Sequence, residues 1–185
     1  MPFRAFIAVD LPESDRLMAL SQELRASGAM LKLVGPDRLH ATLKFLGETE
    51  ERLVPEIVSA IREACRGIAP LEIRIAATGA FPSLSRMNVV WVGLEGTDAL
   101  ARMAASLDKS LEVLGFRPEG RAWTPHATLA RVKGERNLDP VRRILQAHAS
   151  DVFGEHRIDA VRLKRSVLTP AGPVYSDVDV VELVG

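Results

Sequence analysis

Two histidines head the same tetrapeptide, His40-Ala41-Thr42-Leu43 and His126-Ala127-Thr128-Leu129, in a chain of 185 residues with four histidines in all. In an extended strand alternate side chains share a face, so His40 stands with Thr42 and His126 with Thr128, while Ala and Leu of each copy face a core. An imidazole, with an ordinary pKa of about 6.5, takes up or releases a proton near neutrality. Two of them on opposite sides of a phosphorus atom suit in-line displacement. A neutral one accepts the proton of the attacking water and a charged one protonates the oxygen that leaves. The threonine hydroxyls donate hydrogen bonds to the non-bridging oxygens, where negative charge must be stabilised. No metal is called for: His148 and His156 lie in other segments, and no HxH, HExxH or close carboxylate cluster has ligand spacing. A single histidine is more often a structural strand residue than part of a site. The matched pair reverses those odds.

The elements around each copy follow one order. The apolar run 3–11 predicts a buried strand ended by Pro12, and Leu17, Leu20 and Leu24 predict a helix over 13–27 stopped at Gly28. Short strands are expected at 31–36 and 38–47, then a helix at 50–67 whose true start lies near Pro55. Strands at 71–81 and 88–96, a helix at 97–115, a strand at 125–132 and a helix at 139–150 follow. A long strand at 156–168 and a last one at 174–183 complete the chain. Matching elements of the two halves are offset by 83 residues (Leu11 to Leu94), 86 (His40 to His126) and 88 (Ile73 to Val161). A repeat embedded in the same order of elements predicts an internal duplication within one bilobal domain spanning 1–185, and a pseudo-two-fold axis. The expected fold class is α+β: two lobes of antiparallel sheet, helices packed outside, and a groove between them.

Composition narrows the partners. Hydrophobic residues make up 47% of the chain, ample for a core, and 24 basic residues balance 24 acidic ones. No global positive field drives binding along a nucleic-acid backbone, so any such contact is small and local. The lone cysteine, Cys65, excludes a disulfide framework or a cysteine zinc cluster and reads as a buried helix residue. Without a cationic leader or a run of membrane-spanning length, a soluble cytoplasmic protein is expected. It is expected to be a monomer. His148, late in a helix, and His156, at a strand start, read as structural.

In these flanking contexts the pair resembles the 2H phosphoesterases, a superfamily with two His-x-Thr motifs. It is most similar to their RNA 2′,3′-cyclic phosphodiesterase branch, first known as 2′-5′ RNA ligases. The likeness covers FRAFIAVDLP, LHATLKFLGE, GAFPS with VVWVGL, WTPHATLARV and SVLTPAGPVYSDV. It implies hydrolysis of 2′,3′-cyclic phosphate ends of RNA to 2′-phosphomonoesters without a cofactor or metal, with 2′-5′ ligation as the reverse reaction and a place in RNA processing. It implies His40 as proton donor, His126 as proton acceptor, and Thr42 and Thr128 as phosphate holders. Arg131 matches a phosphate-binding position, although strict alternation turns it away from His126 unless a bulge intervenes. Phe45, its equivalent in the other half, offers either a face for a stacked base or plain core. Lys44 has the parity to line the groove. Arg142, Arg143, Arg162, Lys164 and Arg165 form either a solvated face or a grip on further RNA phosphates. Other readings are a 2H enzyme for 2′-5′ oligonucleotides or small cyclic nucleotides, and a non-catalytic module binding RNA ends.

Overall fold

The apolar run at the start of the chain becomes β1 (Phe3–Asp10), buried along most of its length because it is a central strand with neighbours on both sides. The computed structural model describes residues 1–185, the side chain of Pro36 excepted. Four helices and eight further strands follow in the order α1 (Asp15–Ala26), β2 (Leu31–Leu33), β3 (His40–Thr49), α2 (Val54–Cys65), β4 (Leu71–Pro82), β5 (Met87–Glu95), α3 (Asp98–Glu112), β6 (His126–Val132), α4 (Leu138–Ala147), β7 (Val152–Ile158), β8 (Ala160–Thr169) and β9 (Gly172–Glu182). The helix at 50–67 starts late, as Pro55 requires, and a 3-10 turn over Glu51–Leu53 leads into it.

The strands form two antiparallel sheets, β3-β1-β8-β9 and β2-β6-β5-β4-β7. Each histidine strand lies beside the first strand of its half, which in turn lies beside β8 in one sheet and β4 in the other. The register makes the likeness quantitative. Ala8 faces Thr42 and Arg162, whereas Trp91 faces Thr128 and Gly79. Residues of β1 and β5 therefore correspond at an offset of 83 (8 to 91), as do those of β4 and β8 (79 to 162). The offset of 88 expected from Ile73 and Val161 is corrected to 83, because both strands carry the same apolar period and pattern alone cannot fix their register.

The expected strand at 156–168 is two strands in different sheets. It breaks at Asp159, where β7 ends on the edge of one sheet and β8 enters the middle of the other. The apolar spacing runs through the junction, so the sequence pattern has no seam there. Helices α2 and α3 pack with β3, β8 and β9, and α1 and α4 pack with β2, β4 and β7. The chain thus passes back and forth between the lobes. Buried side chains of both sheets, Ile7 and Leu163 among them from one and Val90 and Val92 from the other, belong to one continuous core.

Helix α1 is held to the second lobe by polar contacts as well. Ser14 caps it, accepting from the Leu17 amide at 3.2 Å and donating to the Phe153 carbonyl at 3.0 Å. At its other end Glu23 meets His148 Nε2 at 3.1 Å, and Asp151 meets His148 Nδ1 at 2.7 Å. The bond to Asp151, then that to Glu23, holds the His148 pKa above the ordinary 6.5. A raised folded-state pKa adds stability that is complete below the unfolded value and fades as pH rises through the folded one. The melting-temperature difference between wild type and His148→Gln is expected to be larger at about pH 6 than at about pH 9. An equal difference at both would remove the charged imidazole from this contact.

Candidate active site

The two histidines are held by the same device. His40 Nδ1 lies 2.9 Å from the Arg38 carbonyl and His126 Nδ1 lies 2.8 Å from the Thr124 carbonyl, each two residues upstream. A carbonyl only accepts, so Nδ1 carries the proton in the neutral ring and Nε2 is left as the free acceptor. Aromatic rings brace both imidazoles edge-on. Tyr175 stands 5.2 Å from His40 at 86°, and Phe81 stands 4.9 Å from His126 at 89°. Phe6 adds a tilted contact to His40 at 5.1 Å.

Burial is the main cause that lowers both pKa values, because an imidazolium loses hydration there. The carbonyl bonds oppose it. The nearby charges differ: Lys164 depresses His40 and Asp10 raises it, whereas Arg131 depresses both histidines. Arg131 stands on the strand of His126, and its charge acts on the histidines of both lobes. β3 and β6 are in contact, and the Trp123 indole donates to the Thr42 carbonyl at 2.8 Å, tying the segment before His126 to the strand of His40.

Each histidine strand carries the bulge that Arg131 needs. Between β1 and β3 the register runs Ala8 to Thr42 and then Ile7 to Lys44, leaving Leu43 as the extra residue. Between β5 and β6 it runs Trp91 to Thr128 and then Val90 to Ala130, leaving Leu129 extra. One additional residue reverses the alternation downstream. His40, Thr42 and Phe45 therefore share one face, and His126, Thr128 and Arg131 share the equivalent one. Phe45 is 61% exposed, which rules out its alternative as core.

The same bulge overturns the groove-lining place expected for Lys44. Its side chain turns to the core, where it is 1% exposed. The ammonium donates to Asp108 on α3 and to the Arg117 carbonyl, both at 2.6 Å. Asp108 also accepts from the Glu119 amide at 2.9 Å. Lys44 is thus a clamp on the segment that leads to His126, and strict alternation misplaced it.

The five clustered cations are mostly engaged. Arg162 and Lys164 sit between Asp10 and Asp177, with contacts of 2.5 to 3.2 Å. Arg142 donates to the Leu84 carbonyl and pairs with Asp139, and Arg165 pairs with Glu51 and lies over the Phe3 ring. The Asp10 to Asp177 group lies beside His40 only. At the corresponding positions of the other lobe Asp10 becomes Gly93, Arg162 becomes Gly79 and Lys164 becomes Phe81. Trp91 covers Gly79 so closely that an added Cβ would meet the ring at 2.2 Å. Both imidazoles are braced by rings, but only His40 also has the Asp10, Arg162, Lys164 and Asp177 charges beside it, a difference no spacing in the sequence announces. No motif marks Tyr175, Phe81 or Asp10 as neighbours of the site, because each comes from a strand other than that of the histidine it meets. Lys164, expected on a solvated face or as a grip on RNA phosphates, is paired with Asp10 and Asp177. Among the described residues no three His, Cys, Asp or Glu side chains are placed to hold a metal ion, and no helix is long and apolar enough to cross a membrane.

The sequence profile of the 2′-5′ RNA ligase superfamily matches residues 12–167. The chain is 40% identical to the RNA 2′,3′-cyclic phosphodiesterase of Methanothermobacter thermautotrophicus over 185 residues, covering 99% of this chain and 100% of that relative. It is 36% identical to the protein of the same name from Archaeoglobus fulgidus over 181 residues, covering 97% and 99%. A crystal structure from Thermus thermophilus superposes with a TM-score of 0.80 at 30% identity, covering 97% of each chain. Escherichia coli LigT, crystallised with 3′-AMP, shares the fold at a TM-score of 0.76 and 22% identity over 100% of both chains.

The charges around the pair make a prediction for each ring. In an NMR titration both histidines are expected to have midpoints below 6.5. Arg131→Gln raises both, and Lys164→Met raises His40 while leaving His126 in place. Two midpoints at the ordinary value, or a Lys164→Met shift confined to His126, would contradict this geometry.

Proposed function

Because the chain belongs to the 2′-5′ RNA ligase superfamily, we propose that it hydrolyses the 2′,3′-cyclic phosphate at an RNA end to a 2′-phosphomonoester, using His40 and His126 as an acid and base pair. The observation that carries the reading is the matched pair of bulged strands, which turns His40, Thr42 and Phe45 and their counterparts His126, Thr128 and Arg131 to corresponding faces. The names of the relatives at 40% and 36% identity agree with it.

In this mechanism His126 Nε2 takes a proton from water as the water oxygen bonds to phosphorus. The bond from phosphorus to O3′ breaks on the opposite side, and His40 gives its proton to O3′. Each turnover leaves His126 charged and His40 neutral, and exchange with solvent restores both. Burial favours the neutral form of each ring, which suits the base. An anionic diester between them, together with Asp10, favours the charged form the acid needs. Thr42, Thr128 and Arg131 bind the non-bridging oxygens, where a donor matters most as charge develops.

The two lobes divide the substrate. Phe45 is an exposed ring on the lobe of His40, and Arg131 is its counterpart on the lobe of His126. The nucleoside therefore lies on the first lobe, its base against Phe45 and its O3′ toward His40, and water enters from the second. An RNA 5′-hydroxyl in place of the water gives 2′-5′ joining. The two His-x-Thr strands with their neighbours are, on this reading, copies of one unit.

An oligoribonucleotide ending in a 2′,3′-cyclic phosphate tests the proposal. The expected product is the 2′-phosphate, formed equally with and without EDTA. His40→Ala and His126→Ala each lose about 10² to 10⁴ in kcat, and the double variant is little worse than either because the pair acts as a unit. A 3′-phosphate product, or dependence on added metal, would overturn the mechanism.

A further inference from the structure

Tyr175 reaches the site from the far edge of its sheet. It lies opposite Ser166 on β8, and its ring stands edge-on to both Phe6 and His40, each at 5.2 Å. The hairpin that carries it is fastened by Arg38, whose guanidinium donates to the Pro173 carbonyl at 2.9 Å. The carbonyl of the same Arg38 receives His40 Nδ1. One residue thus sets both the imidazole and the hairpin beside it, and Thr169 closes the turn by donating to the Gly172 carbonyl at 2.6 Å.

The comparison with the other lobe isolates what Tyr175 adds. Phe81 braces His126 in nearly the same edge-on geometry, so a ring without a hydroxyl suffices for packing. The Tyr175 hydroxyl donates to no described residue, nor is it among the polar atoms sealed away without a partner. It stands in the one half of the site that the proposed mechanism gives to the nucleoside. A free phenol donor beside the general acid is suited to an oxygen that gains charge during the reaction.

We propose that Tyr175 contacts the substrate, its hydroxyl donating a hydrogen bond to O3′ of the terminal ribose as that oxygen leaves phosphorus. This rests on the reading of the protein as a 2′,3′-cyclic phosphodiesterase. In the cyclic ester O3′ is a weak acceptor. It becomes a strong one as its bond to phosphorus lengthens, so the contact acts mainly on kcat. The proton that O3′ finally keeps comes from His40, and Tyr175 ends the cycle with its own.

Tyr175→Phe keeps the ring and removes only the hydroxyl. It is expected to lower kcat about tenfold or more, with KM changed by less than about threefold. Binding of two products supplies a readout that altered packing would not reproduce. For a nucleoside 2′-phosphate with its 3′-hydroxyl, Tyr175→Phe weakens affinity about fivefold. For the 3′-deoxynucleoside 2′-phosphate, wild type and variant bind alike. An unchanged kcat, or equal losses for both ligands, overturns the role of Tyr175 while wild-type turnover leaves the enzyme assignment standing. Wild-type protein that leaves the cyclic phosphate intact overturns the assignment itself, and the role of Tyr175 with it.

Discussion

One surplus residue in each of two strands governs the geometry of this protein. Leu43 and Leu129 bulge out of register with β1 and β5, and the side chains that follow change face: Lys44 and Phe45 in β3, before its second bulge at Leu46, and Ala130 and Arg131 in β6. An unbulged ladder would bury Phe45 and Arg131 and would turn Lys44 outward. The bulge is supported from below. Leu43 and Leu129 are both buried, so the extra residue that disturbs the ladder still contributes apolar area to the core. Packing and site geometry are therefore satisfied by the same irregularity, once in each lobe.

The lobes depend on one another. The buried ammonium of Lys44 holds the segment before β6 through Asp108 and the Arg117 carbonyl, and Trp123 bonds the strand of His40 from within that segment. A buried cation is costly unless its partners are well placed, and its two bonds, to Asp108 and the Arg117 carbonyl, keep the lysine out of the groove. Two imidazoles from opposite lobes can act on one phosphorus atom only if the lobes do not drift. The repeated passage of the chain between the sheets and their common core work toward the same end.

Symmetry of the backbone and asymmetry of the side chains play different parts. The backbone repeats the histidine, its carbonyl anchor, the threonine and the bulge. The surroundings do not repeat: Asp10, Arg162, Lys164, Asp177 and Tyr175 lie on one side, and Gly93, Gly79, Phe81 and Trp91 on the other. The proposed hydrolysis uses both features. Equivalent placement serves an in-line reaction, and unequal environments let two chemically identical groups adopt opposite protonation states.

Helices, strands and the histidine pair were legible along the chain: apolar period marks the elements, and the repeated His-x-Thr marks the two strands that matter. These are local properties, carried by neighbours a few residues apart. The inward turn of Lys44, the break at Asp159 and the slipped offset between β4 and β8 emerge only when strands meet. A bulge, a change of sheet and a register are choices between strands, and partners here come from opposite ends of the chain, as Arg4 and Ser166 do. Arg131 shows the boundary most plainly. Its identity was legible in HATLAR, but the face it occupies depends on a hydrogen-bond ladder shared with β5, and the partner's register is not written in its own strand.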